Sequence, residues 1–136
     1  MKLSTRSRYG TRIVMELARN FGKSPVQVSQ IARVQEIPAK YLEQLVRTLK
    51  QAGLIRSVRG AKGGHLLEHD PATITVGQLV RIFEGQTDLV ECVGAPGTCR
   101  MSEECRVRAV WLEATEAMYT KLDHVTIADL IEPSVQ

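Results

Sequence analysis

The chain has 136 residues, 43% hydrophobic and 24% charged, with a formal net charge of +3, an ordinary globular composition long enough for one compact domain and an appended element. No run approaches the roughly 18 apolar residues of a membrane span, and the N-terminus lacks an apolar signal core, so the chain is expected to be cytoplasmic, without membrane contact or structural disulfides. The charge is lopsided: residues 1–62 hold 13 Lys/Arg against 3 Asp/Glu, residues 63–136 hold 5 against 12, which points to a polyanion partner for the first half.

In chain order, Tyr9, Ile13, Leu17 and Phe21 recur every four residues, with Val14 and Ala18 beside them, and predict a first helix over 5–21, ended by Gly22. A short helix over 28–36 turns Val28, Ile31 and Ala32 inward. Pro38 suits the first turn of a third helix that runs to about Ala52 on a stripe of Leu42, Leu45, Val46 and Leu49. Gly53 and Leu54 suit its C-terminal cap. "LIRSV" (54–58) and "HLLEH" (65–69) read as strands joined by the basic, glycine-rich turn "RGAKGG" (59–64). Three helices followed by a hairpin predict a mainly α fold, a winged helix-turn-helix.

Thr75 to Gln78 has capping-box spacing and opens a fourth helix with Val76, Leu79, Val80 and Phe83 on one side. Residues 85 to about 106 show no periodicity, and loops of that length inside compact domains are usually functional or disordered. A long helix returns from about Glu104 to Asp123, with an apolar stripe of Val107, Val110, Trp111, Ala114, Met118 and Leu122. A small winged helix does not need it for its own core. A second copy would bury it, and a two-fold dimer would match two DNA half-sites; packing on the chain's own first helix is the other use. The expected organisation is a DNA-binding domain over 1–84, a cysteine-bearing sensor loop over 85–106, and a dimerisation helix with a C-terminal segment over 107–136, its last five residues loose.

The outer face of the third helix carries Lys40, Tyr41, Glu43, Gln44, Arg47 and Lys50. Gln44 suits an adenine edge and Glu43 a cytosine amino group; Lys40, Tyr41, Arg47 and Lys50 suit phosphates. In the wing, Arg59, Gly60 and Lys62 sit where glycines allow close backbone approach and an arginine can enter a narrow minor groove. Cys92, Cys99 and Cys105 are the chain's three cysteines, spaced C-x6-C-x5-C. No zinc knuckle is present. Three thiols in a loop suit iron–sulfur ligation or a thiol–disulfide switch, with Arg100, Arg106 and Arg108 close by. No nucleophile–base pair, nucleotide loop or paired carboxylate set marks an enzyme.

The stretches "MKLSTRSRYGTRIVMELA", "YLEQLVRTLKQAGLIRSVRGAKGGHLL" and "ITVGQLVRIFEG", and the cysteines before "RAVWLEATEAM", resemble the bacterial winged-helix regulators that include the iron–sulfur cluster regulator IscR, the nitric-oxide sensor NsrR and the cysteine-metabolism repressor CymR. The resemblance spans nearly the whole chain. It implies a homodimer on a near-palindromic double-stranded operator, helix three in the major groove and the wing in the minor groove, with Glu43 discriminating operator classes and Arg59 as the minor-groove residue. It also implies a cluster held by the three cysteines. The chain departs from the family's fourth ligand: the positions that ligate in relatives hold Arg108 and Arg8, neither able to bind iron. Asp88, Glu91, Glu103 and Glu104, or His65, His69 or His124 if the fold brings one in, are the remaining side-chain candidates, and a small exogenous ligand is the other. The expected function is a transcriptional repressor sensing through a [2Fe-2S] or, second, a [4Fe-4S] cluster; a cluster-free repressor controlled by thiol oxidation or a protein partner is the alternative.

Overall fold

The computed structural model describes residues 2–85 and 88–132. The elements are α1 (Thr5–Arg19), α2 (Val28–Gln35), α3 (Ala39–Gln51), β1 (Ile55–Val58), β2 (Gly64–Leu67), α4 (Val76–Glu84), α5 (Glu91–Gly94), α6 (Arg106–Asp123) and α7 (Ile127–Ile131), with 3-10 turns at Pro71–Thr73 and Pro96–Thr98. None of the described helices is long and apolar enough to cross a membrane.

Side chains from α1, α2, α3, both strands and α4 close one core, in which Ile13, Leu17, Ile31, Leu42, Leu49, Leu54, Ile74 and Leu79 are at most 2% exposed. Leu42, Leu45, Val46 and Leu49 all point inward from α3, as their helical spacing dictates. Burying a side chain of this size contributes roughly 1.5–3 kcal/mol. Gly10 lies under the ring of Phe83, where a Cβ would overlap it, so α1 and α4 can cross closely.

Pro38 stands at the N-cap of α3, one residue before the first turn. The end of α3 is a Schellman motif: Gly53 N–H donates to the Lys50 carbonyl at 3.0 Å and Leu54 N–H to the Leu49 carbonyl at 3.1 Å, with Gly53 at φ +77°. The turn between α2 and α3 is made by Glu36 in the left-handed region at φ +53°, a conformation that disfavours side chains by roughly 1 kcal/mol or more. The wing pairs antiparallel in the register Ile55↔Leu67, Arg56↔Leu66, Ser57↔His65 and Val58↔Gly64. Val26 adds a bridge to His65, with N–H···O distances of 3.0 and 2.8 Å.

Two features depart from the sequence expectations. Thr75 caps α4 through its hydroxyl, 3.1 Å from Gln78 N, but the complete capping box lies at Thr126 and Asp129, opening α7. That helix has five residues, too few for a periodic stripe, yet Ile127 is fully buried in the core and Thr126 bridges Thr75. The expectation of a loose tail falls on residues 133–136, outside the described residues, apart from Glu132.

Candidate nucleic-acid interface and cysteine loop

On α3, the inward stripe leaves Lys40, Glu43, Gln44, Arg47 and Lys50 exposed along one face. Tyr41 is half-buried. Its ring meets Tyr9 edge-on at 6.0 Å and its hydroxyl lies 3.2 Å from Thr5 Oγ1, so it ties α3 to α1 while staying at the edge of that face. The fold brings the wing to the same region. A cleft of about 520 Å³ between α3 and the wing strands is lined by Val28, Glu43, Val46, Arg47, Lys50, Gln51 and His65. Arg59, Gly60 and Lys62 are exposed at the wing tip. The tip has no room for side chains behind it: a Cβ on Gly63 would overlap the Val58 carbonyl, and one on Gly64 would lie 2.5 Å from the Val26 carbonyl oxygen.

The cysteine segment is not an open loop. Cys92 sits within α5 and is half-buried, Cys99 follows the 3-10 turn and is exposed, and Cys105 is the half-buried N-cap of α6. All three are free thiols. Arg108, at the position where some relatives of the resembled family carry a histidine ligand, donates from Nε to the Cys92 carbonyl at 3.0 Å and from Nη2 to the Val93 carbonyl at 3.4 Å. These are carbonyls that a four-residue helix leaves without partners. Arg8 is exposed on α1 and lies 6.0 Å from the Tyr9 ring centroid.

The donor chemistry of this segment fits a cluster. Three thiols are unpaired and outside the core, and between Cys99 and Cys105 the Ser102 hydroxyl is buried without a partner among the described residues, which leaves a donor for an incoming acceptor. The arrangement is not that of a closed cage: among the described residues no three His, Cys, Asp or Glu side chains form a metal-holding group. His65 lies on the wing against α3, and His124 caps α6 with Nδ1 2.6 Å from the Thr120 carbonyl oxygen.

A relay of contacts runs from this region through α6 and α4 to α1. The Leu89 N–H donates to Thr115 Oγ1 at 3.3 Å. Arg81 on α4 pairs with Asp123 on α6 at 2.6 and 3.0 Å and covers the Tyr119 ring at 4.3 Å. Glu84, ending α4, accepts from Ser4 Oγ at 2.5 Å, Ser7 Oγ at 2.6 Å and Ser4 N at 2.8 Å at the start of α1. The Ser4 hydroxyl foremost, then that of Ser7, holds the Glu84 carboxyl below the usual carboxylate range. Sequence reading found neither Arg81 nor Glu84, because their partners lie 42 and 80 residues away.

Known proteins decide the family. Residues 3–133 match the model of the Rrf2 family, described as iron-dependent transcriptional regulators. The chain belongs to the Rrf2 family. Among curated relatives, Rrf2 of Nitratidesulfovibrio vulgaris strain Hildenborough is 44% identical, covering 96% of this chain and 87% of the relative. The transcriptional regulator CymR of Bacillus subtilis strain 168 is 39% identical over 96% of this chain and 89% of its own length. Among solved structures, the B. subtilis global cysteine regulator CymR superposes with a TM-score of 0.81 at 37% identity, covering 96% of both chains. IscR of T. potens gives 0.78 at 34% identity, covering 96% of this chain and 86% of that one. This Rrf2-family chain is therefore a DNA-binding winged-helix transcriptional regulator and not an enzyme.

Proposed function

We propose that this regulator is a cytoplasmic homodimer that represses transcription at a double-stranded operator and senses its signal through an iron–sulfur cluster ligated by Cys92, Cys99 and Cys105. Residues 1–84 are the DNA-binding part, 85–106 the sensor and 107–136 the dimerising part. Lys40, Tyr41, Glu43, Gln44, Arg47 and Lys50 address the major groove; Arg59, Gly60 and Lys62 address the minor groove. The dimer reading rests on α6, where Val107, Val110 and Trp111 are 46%, 53% and 38% exposed and Thr115 is the buried residue. Large apolar side chains in that density mark an interface.

The observation that carries the sensing role is the chain of contacts from the Cys92 segment to α1, which packs on α3. Arg108 ties Cys92 and Val93 to α6, Asp123 on α6 ties to Arg81 on α4, and Glu84 on α4 ties to Ser4 and Ser7 on α1. A change in the shape of 91–105 is thus transmitted to the angle between α6 and the DNA-binding part, and in a dimer to the spacing of two α3 helices. When bound, a cluster supplies sensitivity to iron, oxidants and electron transfer. Three free thiols, one of them exposed, support a second reading, a cluster-free repressor that responds to thiol oxidation. Iron and acid-labile sulfide counted on anaerobically purified protein, with absorption and EPR spectra, decide between them. Near-stoichiometric iron and sulfide with a charge-transfer band are expected; a colourless protein with three titratable thiols after attempted reconstitution selects the second reading.

A further inference from the structure

His65 stands apart from the residues that sequence reading assigned to DNA. It pairs with Ser57 in the wing, and its backbone N–H and carbonyl both bond to Val26 on its other side, so its backbone is held from two directions. The ring lines the cleft between the wing and α3 beside Lys50, Arg47 and Glu43. Its Nδ1 lies 3.2 Å from Ser57 Oγ. That hydroxyl serves either protonation state, donating to a bare Nδ1 or accepting from Nδ1–H.

Charged groups from the neighbouring elements settle which ligand suits the cleft. α3 contributes Arg47 and Lys50 against the carboxylate of Glu43; α2 contributes Val28. On α1, which also packs on β2, Arg6 bonds the Phe83 carbonyl, Arg8 lies over the Tyr9 ring, Arg12 bonds Gln35 and Arg19 pairs with Glu16; on β1, Arg56 pairs with Glu68. Two permanent cations and an imidazole outnumber one carboxylate, on the flank of the face read as DNA-binding. Burial foremost, and then the Lys50 charge, hold the His65 ring below its ordinary titration range, so the free protein presents it neutral at pH 7. An anion between His65 and Lys50 would replace that repulsion by attraction and raise the ring's affinity for a proton.

We propose that His65, with Lys50 and Arg47, clamps one backbone phosphate of the bound DNA and takes up one proton from solvent as it does so. The proposal rests on the reading that this face binds DNA. Its sign follows from linkage: a group that binds a proton more tightly in the complex makes binding stronger as pH falls, by up to about tenfold per pH unit for each clamp between the free and bound titration points.

The test uses the full chain and two 30-base-pair duplexes, one selected by the wild type from a random pool and one unselected. Fluorescence anisotropy from pH 5.5 to 8 at fixed ionic strength is compared for wild type and His65→Gln. The wild type should gain affinity on acidification more steeply than the variant on both duplexes, since a phosphate contact carries no sequence information. At pH 6 the variant's salt dependence should be shallower by about one unit per clamp. Superimposable pH and salt profiles would overturn the clamp. NMR titration of the His65 ring in the wild type, free and DNA-bound, keeps the test independent of how the variant folds: a midpoint unmoved by DNA also overturns the clamp. Failure of the wild type to bind either duplex at any pH and low salt would instead overturn the DNA reading on which it rests.

Discussion

The two regions of this molecule differ in how far their apolar faces are covered within one chain. In residues 2–84 the apolar stripes of four helices and a hairpin meet one another and are joined by Ile127 of α7, so the exposed face of α3 and the wing are held by a closed core. In residues 88–123 the described thiols form no metal-holding group, and Val107, Val110, Trp111 and Leu112 of α6 stay in solvent. A region whose polar groups and apolar faces are satisfied internally is preformed. A region that leaves both unsatisfied derives its final arrangement from something added, a second copy or a bound group. Under the proposed sensing role that asymmetry is useful, since an incomplete region can change state when a signal arrives.

The sharpest way to break the comparison is to cut each half. Leu42→Ala should lower the unfolding free energy by about 2–5 kcal/mol, measured by urea denaturation, because Leu42 is fully buried in the core. Trp111→Ala on α6 should leave the monomer fold intact but weaken self-association by about 2 kcal/mol or more, roughly thirtyfold, in sedimentation equilibrium. If Trp111→Ala instead unfolds the chain and leaves association untouched, α6 belongs to the core of residues 2–84.

Within residues 2–84, Arg59→Ala should weaken binding to a selected operator by about 1–3 kcal/mol, roughly five- to 150-fold, and much less to random DNA. Equal losses on both would make Arg59 a phosphate contact. Within the cysteine-bearing region, Arg108→Ala frees the Cys92 and Val93 carbonyls; maleimide labelling of Cys92 should accelerate roughly fivefold, the scale of about 1 kcal/mol. Unchanged labelling would mean that Arg108 does not hold the segment.

The smallest expected effect tests the link between the halves. The hydrogen bond from Arg81 holds the Asp123 carboxyl below its ordinary value of 3.8. The folded pKa being the lower one, this pair stabilises fully above the unfolded value and loses its contribution as pH falls through the folded value. Asp123→Asn should therefore lower the urea midpoint slightly at pH 7, and the gap from wild type should close below about pH 4. A gap that persists into acid would assign the loss to packing against Gly77, where a Cβ would overlap the Asp123 carboxylate.

How much was legible depended on the range of each interaction. Leu42, Leu45, Val46 and Leu49 announce α3 because their spacing matches the helical period, and Gly53–Leu54 announce its cap, both local facts of the chain. Ends were less legible: α1 stops at Arg19, two residues short of Phe21, which is 41% exposed. Five-residue α7 carried no period and was missed. So was α5 around Cys92, a four-residue turn of helix whose end carbonyls are held by Arg108, 16 and 15 residues away.

The sequence alone determined the winged-helix order, the residues facing outward from α3, the basic wing and the confinement of three thiols to one segment, since these follow from periodicity, turn chemistry and position along the chain. Tertiary structure alone decided that Glu84 is held by Ser4 and Ser7, that Arg81 reaches Asp123, that Ile127 completes the core, and that His65 shares a cleft with Lys50. The physical reason is that each of these depends on which groups folding brings within a few ångströms, and no local rule encodes a partner tens of residues away.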